Sequence, residues 1–234
     1  MHPVPHQTAM PDAGQPLQSK SQTSLRITEI FYSLQGETRT VGLPTVFVRL
    51  TGCPLRCQYC DTAYAFQGGQ SMSLPEVLSQ VAGYAPHYVT VTGGEPLAQK
   101  ACLHLLSALC DAGYEVSLET SGALDVSAVD ARVIKVVDLK TPDSGESDKN
   151  LYDNVEHLAQ HDQVKFVLCS REDYLWAKDI MARYNLVTRC EILFSPSHQQ
   201  MTATLLADWI LQDRLPVRLQ IQLHKYLWGN TPGK

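Results

Sequence analysis

The chain has 234 residues, 44% of them hydrophobic, with a formal net charge of -5 and a pI near 5.9. That length and apolar content suffice for one sizeable core, and an acidic balance without clustered Lys and Arg argues against a broad grip on nucleic acid. No apolar stretch reaches the length of a membrane span, and seven cysteines without a secretory leader point to a reducing compartment, the cytoplasm.

Residues 1–24 are rich in Pro, Gln, Ser and Thr and lack periodicity, which predicts a disordered tail ahead of one domain over 25–234. The segment is not Arg-rich and not amphipathic, so a transit peptide is a poor reading. Beyond it, short apolar runs alternate with helical patterns, as in a parallel sheet. Strands are expected at 45–50, 88–92, 115–119, 133–139, 164–168, 191–194 and 217–223. Ser73-Leu74-Pro75-Glu76 reads as a capping box with Pro in the first turn, opening a helix to about residue 82. A second helix is expected over about 97–112, closed by Gly113, and a third, opened by Ser170 with Asp173, runs to about 184. Six or so such βα units predict an incomplete, curled (β/α)6-type barrel with its site at the carboxyl ends of the strands.

Directly after the first of these strands, Cys53, Cys57 and Cys60 are spaced C-x-x-x-C-x-x-C. Three thiolates on one loop can hold three irons of a 4Fe-4S cube and leave the fourth iron without a protein ligand, a position for chemistry as well as for electrons. Zinc asks for four closed ligands, and no second knuckle is present, because Cys102, Cys110, Cys169 and Cys190 lie apart. Those four read as small apolar core residues, the first two on one helix face and the others at strand edges. After the next strand, Gly93-Gly94-Glu95-Pro96 offers two residues without side chains, which let backbone approach a ligand, and a carboxylate suited to an ammonium group. Taken alone, the Gly-Gly pair is a turn.

The two motifs together resemble those of radical S-adenosylmethionine (SAM) enzymes, in which SAM chelates the open iron and is cleaved to a 5'-deoxyadenosyl radical. Five more segments resemble the 7-carboxy-7-deazaguanine synthase family: Tyr32-Ser33-Leu34-Gln35-Gly36-Glu37, Phe47-Val48-Arg49-Leu50-Thr51-Gly52-Cys53, Cys60-Asp61-Thr62, Glu119-Thr120-Ser121-Gly122 and Gln222-Leu223-His224-Lys225-Tyr226. The resemblance runs from about Ile27 to the C-terminal segment. It implies conversion of 6-carboxy-5,6,7,8-tetrahydropterin to 7-carboxy-7-deazaguanine with loss of ammonia, in queuosine and deazapurine biosynthesis. Carried over by position, Cys53, Cys57 and Cys60 hold the cluster. Leu34, Gln35, Gly36, Glu37, Arg49, Thr92 and His224 hold the substrate, and Thr62 ligates Mg2+. Tyr59, Cys60, Asp61, Gly94, Glu95, Asp138, Leu139, Lys140 and Ser195, the last within 195–198, line the SAM site.

The chemistry of those residue types fits the implied roles. The Gln35 amide and nearby backbone groups match the donor and acceptor row of a pterin edge. Arg49 presents a planar fork for a carboxylate, although a strand Arg is as readily a structural ion-pair partner. Mg2+ takes hard oxygens and keeps waters, so a Thr62 hydroxyl with a substrate carboxylate is a reasonable partial shell. The acidic run 142–150 has the composition of a lid. Thr38 stands where many relatives have Gly, which puts the local loop shape in question. The resemblance further implies an electron donor, flavodoxin or ferredoxin, and a homodimer. Two rival classes remain: a glycyl-radical-activating enzyme working on a protein partner, and a metal-bearing binding module without catalysis.

Overall fold

The structure, a computed structural model, describes residues 24–229, 231 and 233, so the expected tail lies outside the described residues except for Ser24. The chain opens with β1 (Ser24–Leu34), which pairs antiparallel with β2 (Pro44–Leu50) on one side and β3 (Gln70–Ser73) on the other. From β2 onward the sheet is parallel through β4 (Tyr88–Gly93), β5 (Glu115–Thr120), β6 (Ile134–Asp138), β7 (Gln163–Leu168), β8 (Glu191–Pro196) and the two-residue β9 (Arg218–Leu219). The order β3-β1-β2-β4-β5-β6-β7-β8-β9 makes an open α/β sheet that does not close into a barrel.

Four crossovers carry helices: α1 (Leu74–Ala82), α2 (Ala101–Asp111), α3 (Arg171–Arg183) and α4 (Ala203–Asp213); α5 (Leu223–Trp228) follows β9. The capping box opens α1, with Ser73 Oγ accepting from Glu76 N and the Glu76 carboxylate accepting from Ser73 N at 2.7 Å. Ser170 caps α3 as its sequence implies. The regular βα alternation fails after β5 and after β6, where no α-helix forms. After β5, Asp125 and Asp130 accept from the amides two residues on, at 2.8 and 3.0 Å, the Asx geometry that competes with helix. The expected strand over 217–223 is mostly the turn into α5. The second helix begins later than expected because Pro96–Ala98 forms a separate 3-10 turn. β1 escapes the sequence pattern because a bulge between Ile27 and Glu29 shifts its alternation by one residue.

The two faces of the sheet differ in kind. On one, Val48 and Leu50 of β2, Val91 of β4 and Leu118 of β5 bury against Leu105, Leu106 and Leu109 of α2. A second apolar cluster joins Phe166, Leu168 and Phe194 to Tyr174 and Ile180 of α3 and Leu206 of α4. The intervening positions of the same strands include Arg49, Thr90, Thr92, Ser117, Glu119, Asp138 and Lys165. Parallel strands buried on both faces read as continuous apolar runs. Here many of the alternate positions are polar, Phe47, Val136, Val167 and Leu193 being apolar exceptions, and the polar ones line the hollow on the concave face.

Candidate active site

The cysteine loop is held from two sides. Glu95 N donates to Gly52 O at 2.7 Å and Gly94 N to Leu50 O at 3.2 Å, clamping the loop to the end of β4. A Cβ on Gly94 would lie 2.2 Å from Gly52 O and 2.8 Å from Cys53 Cβ, so only glycine permits this approach. On the far side Gln58 N donates to Ser144 O at 3.0 Å and Arg56 N to Glu146 Oε1 at 2.5 Å. The run 142–150 is therefore a brace with Ser144 fully buried, and its composition misled as to a lid. The brace is pinned in turn by buried Asp173 of α3, which accepts from Thr141 Oγ1 and Asp143 N at 3.0 Å.

All three loop thiols are partly exposed. Burial pushes the Cys53 thiol up and the Cys57 thiol up to about 11, against the pull of Lys140; Cys57 also feels the charge of Cys60 and Cys53, and Cys53 that of Cys60. Yet among the described residues no three His, Cys, Asp or Glu side chains converge on a single-ion point. Three partly exposed thiols on one clamped loop are a donor set of the kind a 4Fe-4S cluster uses. Cys102 and Cys190, raised to about 12 by burial, are inert core residues.

Below the loop, side chains from distant segments form one polar network. Gln35 Nε2 donates to Thr90 Oγ1 at 3.1 Å and Glu119 Oε1 at 3.3 Å, and Thr92 Oγ1 donates to Glu119 Oε2 at 3.0 Å. Arg49 Nε donates to Glu29 Oε1 at 2.7 Å, which also takes the Tyr64 hydroxyl at 2.8 Å. Lys165 Nζ stands 2.5 Å from Glu37 Oε2 and 3.7 Å from Asp138 Oδ2, whose other neighbour is Lys140 Nζ at 3.0 Å. The C-terminal segment closes the rim: Gln222 Nε2 donates to Glu37 Oε1 at 3.1 Å, Lys225 pairs with Asp61 at 2.8 Å, and Leu223 N donates to Gly36 O at 2.9 Å. A Cβ on Gly36 would sit 2.1 Å from His224 Nδ1, so this docking also needs glycine.

The electrostatics divide the two inner glutamates. Burial alone would raise Glu37, but the adjoining Lys165 ammonium overrides it and holds the carboxyl below its ordinary range. Glu119 is raised by burial and by the charge of Glu37. Burial pushes His224 down, favouring the neutral imidazole. Of the six buried side-chain polar atoms without a hydrogen-bond partner among the described residues, two, Tyr59 Oη and Asp138 Oδ1, stand at the border between loop and hollow.

The expected site residues thus gather at the carboxyl edge, with qualifications. Leu139 sends its side chain into the core and offers only backbone. Ser195, buried on the concave side of β8, makes no side-chain hydrogen bond among the described residues. Thr62 stands at the rim, its hydroxyl 3.7 Å from Cys60 Sγ. Glu95 faces no hollow: its fully buried carboxylate accepts from Leu97 N, Thr120 Oγ1, Ser121 N and Ser121 Oγ, tying β4 to β5. A carboxylate so saturated has no lone pair left for an ammonium. Lys165, Glu119, Glu29 and Gln222 were missed as site residues. The signal for Lys165 was present, a lone cation in the apolar strand Gln-Val-Lys-Phe-Val-Leu.

An open α/β sheet with a three-cysteine loop after its first parallel strand is the architecture of the radical SAM superfamily, whose description matches residues 47–139. The chain resembles the crystal structure of QueE from Escherichia coli with a TM-score of 0.73 at 22% identity, over 88% of this chain and 100% of that one. It is 46% identical to the 7-carboxy-7-deazaguanine synthase of Chlorobaculum tepidum, covering 89% of this chain and 96% of that protein. It is 40% identical to the synthase of Koribacter versatilis, covering 87% and 97%. The chain belongs to the 7-carboxy-7-deazaguanine synthase family. Membership implies a 4Fe-4S cluster and SAM, and it favours neither the protein-activating alternative nor a binding module without catalysis. No described helix is long and apolar enough to cross a membrane.

Proposed function

We propose that this chain converts 6-carboxy-5,6,7,8-tetrahydropterin to 7-carboxy-7-deazaguanine with release of ammonia, a carbon–nitrogen lyase of queuosine and 7-deazapurine biosynthesis. The observation that carries the reading is the polar network under the cysteine loop, in a chain 46% identical over 213 residues to a 7-carboxy-7-deazaguanine synthase.

Cys53, Cys57 and Cys60 would hold the cluster, and Tyr59, Asp61, Gly94, Asp138, Lys140 and the Leu139 backbone would bound the SAM site, with Ser195 at its far wall. Once bound, these groups supply a 5'-deoxyadenosyl radical. The chain's own task is to hold one C–H bond beside it and keep water away. Asp138 Oδ1 and Tyr59 Oη, buried without protein partners, suit a ligand hydroxyl or amine. Glu95 serves by fixing the loop's platform.

On the substrate side, Gln35, Thr92 and Glu119 offer donors and acceptors to the pterin edge, together with the Leu34 and Gly36 backbone. Glu119, raised by burial and by the charge of Glu37, keeps its proton to a higher pH than an ordinary carboxyl. Arg49, held through Nε by Glu29 and through Nη1 by Gly93 O, keeps Nη2 for a carboxylate, and His224, pushed towards the neutral form by burial, closes the pocket beside Glu37. Thr62 would give one oxygen to Mg2+, with the substrate carboxylate and waters completing the shell.

The whole of 25–234 would form the catalytic domain, residues 1–24 a tail, and the protein would work in the cytoplasm as a homodimer. The electron comes from flavodoxin or ferredoxin. Anaerobic reconstitution tests the reading: brown protein should form 7-carboxy-7-deazaguanine from the pterin with SAM recovered intact. SAM consumed without ring contraction would count against it.

A further inference from the structure

We propose that Lys165 is a positioning residue that couples the substrate end of the hollow to its SAM end by joining Glu37 and Asp138 in one charge-paired unit; the inference rests on the functional reading above. Lys165 projects from the centre of β7 with its side chain 15% exposed, and its Nζ reaches Glu37 Oε2 at 2.5 Å and Asp138 Oδ2 at 3.7 Å. Glu37 belongs to the pterin side and Asp138 to the SAM side, and among the described residues no other side chain pairs with both.

The stoichiometry argues against a merely structural ion pair. A structural pair needs one carboxylate per cation, and a buried pair adds little net stability in any case. Here one ammonium feels three carboxylates, Glu37, Asp138 and Glu119. Asp138 spends only Oδ2 on Lys140 and Lys165, leaving Oδ1 buried and unpartnered among the described residues. A donor arriving at Oδ1 from the SAM side draws charge from Asp138 and weakens its pull on Lys165 at 3.7 Å, which strengthens the existing 2.5 Å pairing with Glu37 and fixes Glu37 for the pterin. Reciprocity then requires the pterin to tighten SAM by the same factor.

The test is calorimetric titration of SAM into anaerobically reconstituted holoenzyme with its cluster left oxidised, without and with saturating 6-carboxytetrahydropterin. Wild type should bind SAM about 5-fold or more tightly when the pterin is present. Lys165→Met should bring that ratio to near 1, and Lys165→Arg, which keeps the charge, should restore most of it. Iron content and melting temperature report on folding; should Lys165→Met fold poorly, Glu37→Gln severs the same link from the other end and must lose the same ratio. Wild type binding both ligands with a ratio of 1, or a folded Lys165→Met or Glu37→Gln that keeps the wild-type ratio, overturns the Lys165 inference alone. Wild type that binds SAM but not the pterin overturns the functional reading and this inference together.

Discussion

Glu37 and Glu119 sit in one hollow, yet their surroundings push them in opposite directions, because Lys165 stands against the first and the first repels the second. Glu119 titrates above the ordinary carboxyl value of 4.5 in the folded chain, so the folded state holds this proton more tightly than the unfolded one. Its contribution to stability is therefore favourable at acid pH and is lost as pH rises from about 4.5 through that higher value. Glu119→Gln should melt above wild type at pH 8, with the difference shrinking towards pH 5, while turnover falls; thermal denaturation at the two pH values checks it. Thr38 carries a different strain. It is a buried β-branched residue at φ 65°, where glycine is at ease. Thr38→Gly should remove a cost of about 1 kcal/mol, raising the melting temperature by about 2–4 °C for a domain of this size. An unchanged melting temperature would mean that the hydroxyl contact to Thr40, at 3.2 Å, compensates fully.

Among the elements, the last segment has more influence than its size suggests. The turn into α5 and α5 itself expose Tyr226 and Leu227, but the same stretch supplies Gln222 to Glu37, Lys225 to Asp61 and a backbone amide to Gly36. Its apolar burial is slight, so its removal should cost little stability and much function. A chain ended after Gln220 should keep its iron and bind SAM yet lose pterin affinity by 10-fold or more, as read by calorimetry; unchanged pterin binding would refute a rim role. By contrast α1 is a packing element. Ser73→Ala removes the hydroxyl that accepts from Glu76 N, and should cost about 1 kcal/mol with kcat/KM unchanged. Equilibrium unfolding in urea and steady-state kinetics measure the two effects separately.

For the molecule as a whole, the sheet remains open, with β3 at one edge and the two-residue β9 at the other, and an open edge invites cover. The proposed dimer predicts a sedimentation mass of two chains at micromolar concentration, and a single-chain mass would remove it without touching the site. The local patterns were legible in the sequence because their causes are local. The capping box before α1, the cap of α3, the apolar runs of β2, β4 and β7, and the cysteine spacing depend on residues a few positions apart. The bulged β1, the helix-free connections after β5 and β6, and the short β9 were not legible, since pairing partners and Asx turns decide them. Within the site, Cys53, Cys57, Cys60, Gln35 and Arg49 stood out by motif. The partner of Glu95 and the meeting of Lys165 with Glu37, 128 residues apart, did not. Sequence by itself determined which residue types were present to bind iron, a carboxylate and a polar ring. Only the tertiary structure decided which charges face each other, because a buried carboxylate's state depends on the neighbour that parallel strands set beside it, and no spacing along the chain encodes that neighbour.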